Sequence, residues 1–212
     1  EAWGDVLART AGRVGPDATG RAAAECRCRA LLATGAGAEC VALLEPLLGI
    51  PTSSDRPTDP PADPEMADAR RSDWSPAPDL AVHVIQTWRD GGRSREAATL
   101  ARRAALLYPD DPDLFYLELV TRSMVEDEES VLSELARRVP ATGPAAARMR
   151  VSLAYRYLQR GEPTRALAAL GEAPPPEAGV EAGRWLETRG MAFANVGDLR
   201  GVEQTYATWR NL

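Results

Sequence analysis

The sequence lacks lysine entirely, so all 25 basic residues among its 212 are arginines. Arginine codons favoured by a GC-rich genome explain this bias more simply than a function does. The formal net charge of −6 argues against a nucleic-acid-binding surface, because such surfaces are usually basic. No apolar run approaches the ~18 residues of a membrane span, so we expect no membrane insertion. Because of the negative net charge, we also expect no nucleic-acid partner.

Cysteine and histidine, which are common metal ligands and catalytic residues, are also scarce. Three cysteines are an odd number and too few for a disulfide scaffold. Cys26 and Cys28 lack metal-site spacing, and the single histidine, His83, is far away in sequence, where a packing or solvated role is the simpler interpretation. The chain contains no Gly-rich phosphate loop, zinc-protease helix signature or G-x-S-x-G elbow. We therefore predict no metal, no cofactor and no enzymatic activity.

Abundant alanine with only 6% aromatic residues favours helices that pack through small side chains. The clearest pattern lies in residues 151–173, where one amphipathic run ends at Gly161 and another follows. Small Ala154 and Ala166 allow close approach of the two helices, while larger side chains fill the seam. This spacing predicts an antiparallel helical hairpin, in which we call the helix before the turn the first helix. Two short helices cannot bury such a seam alone, so a stack of hairpins is expected.

Similar patterns recur along the chain and predict further helices. We expect Asp79 to cap one of them. The predicted helices span Glu1–Arg13, Arg21–Ala33, Glu39–Leu48, Leu80–Asp90, Ser94–Tyr108, Leu114–Met124, Glu128–Val139, Glu181–Val196 and Leu199–Leu212. The turn glycines are Gly35, Gly92, Gly161 and Gly197, separated by 57, 69 and 36 residues. The interval of 57 residues corresponds to one repeat of ~34 residues with an insertion, and the interval of 36 residues corresponds to one repeat. The interval of 69 residues corresponds to two repeats, with a degenerate turn near Glu126-Asp127 between them.

Residues 51–78 interrupt the pattern, because prolines recur every few positions and apolar residues are rare. We predict a partial helix and one hairpin in residues 1–50, a proline-rich linker or long loop in 51–78, and four hairpins in 79–212. The linker should be the most protease-sensitive region, and its one large hydrophobe, Trp74, should pack on an adjacent helix. The chain starts without methionine, so we expect a fragment of a longer protein, with the cytoplasm as default location.

The hairpins resemble the tetratricopeptide repeat, which places Leu-Gly and Tyr in its first helix, Ala and an aromatic residue in its second, and a closing proline. The resemblance rests on Leu153-Ala154, Tyr157, Gly161, Ala166 and Leu170. It is repeated less closely by Leu186, Gly190, Phe193, Gly197 and Tyr206, with Arg189 in place of leucine. The resemblance implies a right-handed α-solenoid whose concave face binds peptides or protein segments. Arrays that clamp a C-terminal carboxylate use lysine and asparagine, so this lysine-free chain should not be of that subtype.

A stripe on the first helices gives the candidate partner-binding groove. Its positions lie ten, six and three residues before Gly92, Gly161 and Gly197, on one helical face, and Tyr116 and Val120 are the predicted equivalents in the degenerate hairpin. The groove residues are Val82, Gln86, Arg89, Tyr116, Val120, Val151, Tyr155, Leu158, Glu187 and Met191. The hairpin seams do not use these side chains, and exposed apolar patches usually mark interfaces. The alternative is that neighbouring first helices bury much of the stripe against one another.

These features predict a non-enzymatic interaction module or scaffold that binds a protein or peptide. The alternative is a ligand- or peptide-gated sensor domain of a larger signalling or transcriptional protein. An enzyme would need convergent polar groups, which the sequence does not show. Two charged clusters have a simple and a functional interpretation. Residues 126–129 either favour a helix N-terminus or bind a cation, and the arginine pairs at 102–103 and 137–138 are either solvated or bind an anionic partner.

Overall fold

The computed structural model describes residues 2–50, 74–143, 145–174 and 181–210, and all regular elements in these ranges are α-helices. The predicted all-α class is therefore confirmed for this part of the chain. The helices are α1 (Ala2–Thr10), α2 (Ala18–Ala33), α3 (Gly37–Leu48), α4 (Pro78–Asp90), α5 (Ser94–Leu107), α6 (Pro112–Ser123), α7 (Glu128–Arg138), α8 (Ala146–Gln159), α9 (Pro163–Leu170), α10 (Glu181–Val196) and α11 (Leu199–Trp209).

Four connections between consecutive helices share one turn geometry. The N–H of a glycine donates to the carbonyl three residues earlier, and the next N–H donates to the carbonyl five residues earlier. This pair of hydrogen bonds defines the Schellman motif, in which one residue adopts the left-handed backbone conformation that glycine favours. The four residues are the predicted turn glycines Gly35, Gly92, Gly161 and Gly197, with φ of 81°, 78°, 73° and 77°. Each turn folds one helix back on its neighbour, giving the packed pairs α2–α3, α4–α5, α8–α9 and α10–α11.

The seams of these pairs contain buried small residues at the expected places. In α8–α9, Ala154 and Ala166 are fully buried. In α2–α3 the same positions hold Cys28 and Cys40, and the Cys28 thiol donates to the Cys40 carbonyl oxygen at 3.5 Å. Both cysteines are buried free thiols, and the hydrogen bond to Cys40 together with burial raises the pKa of Cys28. These two cysteines are therefore neighbours across one hairpin.

Helix starts differ from the prediction where a capping residue was misjudged. Asp79 does not cap α4. The helix begins earlier, at Pro78, because proline is well suited to the first helical position, and Ala77 occupies the cap. Asp79 instead pairs with Arg29 of α2 at 3.2 Å. Similarly, α2 begins before Arg21 because the Asp17 carboxylate accepts a hydrogen bond from the Gly20 N–H at 2.6 Å. The other predicted ends differ by about one turn or less.

The chain forms two compact units, the first comprising residues 1–109 and 120–125. In this unit, the final residues of the predicted linker are packed. Arg21 of α2 lies over the Trp74 ring, 5.4 Å from its centroid, and Ser75 is buried. Arg103 of α5 donates from Nη1 to the carbonyl oxygens of Leu48 at 2.7 Å and Trp74 at 3.1 Å. Trp74 thus packs on a helix as predicted, while linker residues 51–73 lie outside the described ranges.

The second unit comprises residues 110–119 and 126–212. Its first helices are linked at their N-terminal ends. Arg148 of α8 pairs with Asp113 of α6 at 2.5 Å and lies 3.8 Å from Glu181 of α10. Helices α8 and α10 also pack together. The core beneath them consists of Phe115, Leu119, Val131, Leu132, Leu135, Ala145, Met149, Leu153, Ala154, Tyr157, Ala166, Leu170, Trp185, Leu186 and Ala192.

Candidate functional site

Three large side chains of the predicted groove are exposed on successive first helices of the second unit. Tyr116 of α6 is 47% exposed, Tyr155 of α8 is 52% exposed and Met191 of α10 is 38% exposed. Their neighbours along the helix are buried; Leu153 and Tyr157 flank Tyr155 and belong to the core. The helical period therefore turns one face of each helix toward the core and leaves the stripe residue at the surface.

The other predicted groove residues of this unit behave differently. Val151 and Leu158 are half-buried and pack against the core, so they contribute to stability as well as to the surface. Glu187 is exposed, one turn before Met191. The alternative that the stripe is buried therefore holds in part for Val151 and Leu158, whereas Tyr116 and Tyr155 remain accessible.

The remaining four predicted residues belong to the first unit. Gln86 is exposed, while Val82 and Val120 are half-buried. Arg89 is half-buried and pairs with its neighbour Asp90 at 2.9 Å. None of these four side chains is both exposed and a large hydrophobe, so the strongest part of the stripe lies in the second unit.

The acidic cluster at residues 126–129 is engaged with protein partners. Asp127 caps α7 by accepting from the Ser130 N–H at 2.9 Å, which fits the helix-terminus interpretation. Its neighbours Glu128 and Glu129 form ion pairs with arginines of other helices. Glu129 pairs with Arg165 of α9 at 2.6 Å, and this hydrogen bond lowers the pKa of Glu129.

The same cluster forms a network of alternating charges at one end of α7, α8 and α9. Glu128 binds Arg156, and Glu162 lies 2.7 Å from Arg160 and 2.9 Å from Arg165. Glu128, Glu129 and Glu162 each have guanidinium partners, so these three carboxylates do not offer a cation the unpaired acidic oxygens that it would need. Sequence reasoning missed the pairs of Glu128 with Arg156 and of Glu129 with Arg165 because they join residues 28 and 36 positions apart.

In each arginine pair, for which a solvated surface was the simpler interpretation and an anionic partner the alternative, the two side chains have different surroundings. Arg102 and Arg137 are exposed, but Arg103 binds the two carbonyls described above. Arg138 binds both carboxylate oxygens of Glu118 at 2.8 Å, and the Glu118 side chain is completely buried. The prediction is therefore wrong for one member of each pair. Adjacent residues on a helix point about 100° apart, so the second arginine faces a neighbouring element.

A cavity of about 440 Å³ opens on the face of α8 opposite Tyr155, and the sequence analysis did not identify it. Small residues on α7 and α9 leave the space unfilled, and two arginines stand beside it. The lining residues are Ala136, Val139, Arg150, Leu153, Tyr157, Arg165, Ala168, Ala169 and Gly171. The adjacent Ala168-Ala169 on a second helix was the available signal, since bulky residues at both positions would close the gap.

His83 has a structural contact, with its Nε2 lying 3.3 Å from the Gly37 carbonyl oxygen at the start of α3. Among the residues that the structure describes, no three or more His, Cys, Asp or Glu side chains cluster as a metal site would require. None of the described helices is both long and apolar enough to cross a bilayer.

No protein-family model matches the sequence, and no curated protein matches it significantly. The resemblance to tetratricopeptide repeats therefore remains a prediction.

Proposed function

We propose that this chain is a non-enzymatic interaction module that binds a peptide or protein segment along the exposed stripe of its first helices. The observation that carries this proposal is the accessibility of Tyr116, Tyr155 and Met191 on successive first helices, above a core that does not need them. Four identical glycine turns support a right-handed solenoid of tetratricopeptide-like hairpins as the scaffold. In such a scaffold the stripe lines the concave groove.

The chemistry of the stripe favours a partner with spaced apolar anchors. Tyrosine combines a large apolar ring with a hydroxyl group and loses little conformational entropy on binding. Met191 adds a flexible side chain that adapts to different shapes. An extended peptide or a short amphipathic helix can place successive anchors against such a row of side chains. We infer that the partner segment is apolar at regular intervals rather than strongly charged.

Tyr155→Ala provides the principal test. A peptide selected from a random displayed library against the wild-type protein should bind the variant more than about tenfold less tightly, because truncating a central aromatic anchor often costs about 2 kcal/mol. Affinity is measured by titration calorimetry, and helicity by circular dichroism should stay unchanged. The matched control is Tyr206→Ala, which removes a tyrosine of similar exposure, 50%, from the second helix α11.

A second control removes the exposed arginines with Arg102→Ala and Arg137→Ala together and should change binding little. If the arginine pair is essential and Tyr155→Ala is silent, the site lies on the second helices and the partner is anionic. That result would contradict the proposed groove.

The alternative function, a ligand-gated sensor domain, is favoured by the cavity between α7, α8 and α9. A ligand there would contact helices of two consecutive hairpins, and it would stabilise whichever relative arrangement of them binds it better. Differential peptide affinity with and without a cavity ligand would test this function.

A further inference from the structure

One side of the cavity is lined by regularly spaced residues of α8. Arg150, Leu153 and Tyr157 lie on one face of α8, at intervals of three and four residues. Ala168 and Ala169 of α9 form the opposite wall. Alanine at both positions withholds the side-chain volume that would fill the space, so the cavity is a consequence of sequence and not of loose packing.

The two arginines of the cavity differ in their electrostatic surroundings. Arg165 stands at the Tyr157 end, 4.5 Å from that ring's centroid, and is paired with two carboxylates, Glu129 and Glu162. Arg150 stands at the Gly171 end of the cavity. The two residues are close, since a Cβ added to Gly171 would lie 3.5 Å from Nη1 of Arg150.

Arg150 keeps most of its donors available. It donates from Nη2 to the Ala141 carbonyl oxygen at 2.9 Å. Across the described ranges, no carboxylate lies within salt-bridge distance of Arg150. A carbonyl oxygen satisfies one donor but leaves the positive charge unneutralised, and a guanidinium carries five N–H groups. The cavity therefore has an apolar middle, one end whose charge is balanced and one end with an excess positive charge.

We propose that this cavity binds a small amphipathic carboxylate, with its carboxylate on Arg150 and its apolar body over Leu153, Ala168 and Ala169. Guanidinium groups bind carboxylates through paired, charge-assisted hydrogen bonds. The volume of about 440 Å³ lies within the range of small-molecule sites. This site is separate from the stripe of Tyr116, Tyr155 and Met191, so it goes beyond the proposed peptide-binding function.

The test uses sodium octanoate as the probe and follows its binding by ¹H–¹⁵N NMR titration. Saturable shifts are expected at residues 136, 153, 168 and 169, with a Kd of about 1 mM or below. Arg150→Gln should weaken binding by about tenfold or more, because it removes the positive charge that, among the described residues lining the cavity, has no carboxylate partner. Octan-1-ol, which has the same apolar body without the charge, and acetate, which has the charge without the body, should each bind at least about tenfold more weakly than octanoate.

The matched control is Arg137→Gln, which makes the same charge change at an exposed position of α7 beside cavity-lining Ala136. It should leave octanoate affinity within about twofold of wild type. A second variant, Ala168→Leu, adds bulk at an exposed cavity position, where folding should tolerate it, and should also reduce binding by about tenfold. Circular dichroism melts establish that each variant is folded.

Three results would overturn the proposal. These are no saturable octanoate binding up to about 10 mM, equal losses in Arg150→Gln and Arg137→Gln, and shifts centred on Tyr116, Tyr155 and Met191 instead of the cavity. Because the peptide-binding test depends on Tyr155, which does not line the cavity, either proposal can fail without the other.

Discussion

Replacing Arg138 with methionine should destabilise the protein far more than the same change at Arg137. Arg138 ends α7 and donates from Nη1 to both oxygens of Glu118 on α6, at 2.8 Å each. The Glu118 side chain is completely buried, whereas that of Arg138 is 24% exposed. Methionine keeps the length and the apolar stem of the arginine but removes its donors and charge.

The magnitude follows from the burial of Glu118. Removing one partner of a buried ion pair typically costs 3–5 kcal/mol, because the other charge stays in a poorly solvated place. Since a quarter of Arg138 remains accessible, water can reach the pair and the lower end applies, about 3 kcal/mol. For a chain of this size, this corresponds to a fall in Tm of about 6–12 °C.

Thermal and urea unfolding followed by circular dichroism measure the effect. Arg137→Met should stay within about 0.5 kcal/mol of wild type, because Arg137 is exposed. The double variant Glu118→Met with Arg138→Met should recover most of the loss, since a buried pair replaced by apolar residues is often neutral. If Arg138→Met is as mild as Arg137→Met, the buried pair is not a determinant of stability and the reasoning fails.

Two further predictions concern a helix cap and a close helix contact. Hydrogen bonds from the Ser130 side chain and N–H lower the pKa of Asp127 below 3.8, so its contribution to stability is present above pH 3.8 and is lost as pH falls through the folded-state pKa. Asp127→Asn keeps a capping acceptor without titrating, and its Tm should therefore fall less steeply than the wild-type Tm on acidification below that pH; parallel profiles would contradict this. Gly201→Ala places a Cβ 2.6 Å from the Phe193 ring and should cost about 1–3 kcal/mol in urea unfolding. Gly4→Ala, where nothing lies within 4 Å, should not destabilise, and equal effects at both sites would refute the steric argument.

The sequence was sufficient to predict the helical fold because its strongest signals are local. A turn glycine restricts the choice of backbone within a few residues, and Gly161 followed by Pro163 marks both the end of one helix and the start of the next. The seam residues Ala154 and Ala166 follow from the same glycine by counting along the helix. The stripe position Tyr155 was predictable for the same reason, since a helical period determines which side chains share a face.

The polar contacts and the cavity were not predictable, because they join residues from different helices. Arg137 and Arg138 are adjacent and alike in sequence, and the position of Glu118 on another helix distinguishes the half-buried Arg138 from the exposed Arg137. The prediction that Asp79 caps α4 was wrong because the helix begins at Pro78, so the Asp79 carboxylate pairs with Arg29 instead. Ala168-Ala169 is a local signal for missing side-chain volume, but the position of the cavity depends on which residues of α7 and α8 face these alanines.

The contact of Arg103 with the carbonyls of Leu48 and Trp74 has a consequence for chain length. One nitrogen of Arg103 binds the carbonyl oxygens of Leu48 and Trp74, which lie on either side of the interruption in the repeat pattern. This contact requires the two carbonyls to be close together, but it does not depend on the number of residues between them. Doubling the length of a flexible loop costs only about 0.6 kcal/mol of closure entropy. Lengthening the chain between these two edges should therefore change the free energy of unfolding little, as long as the Arg103 contacts are kept.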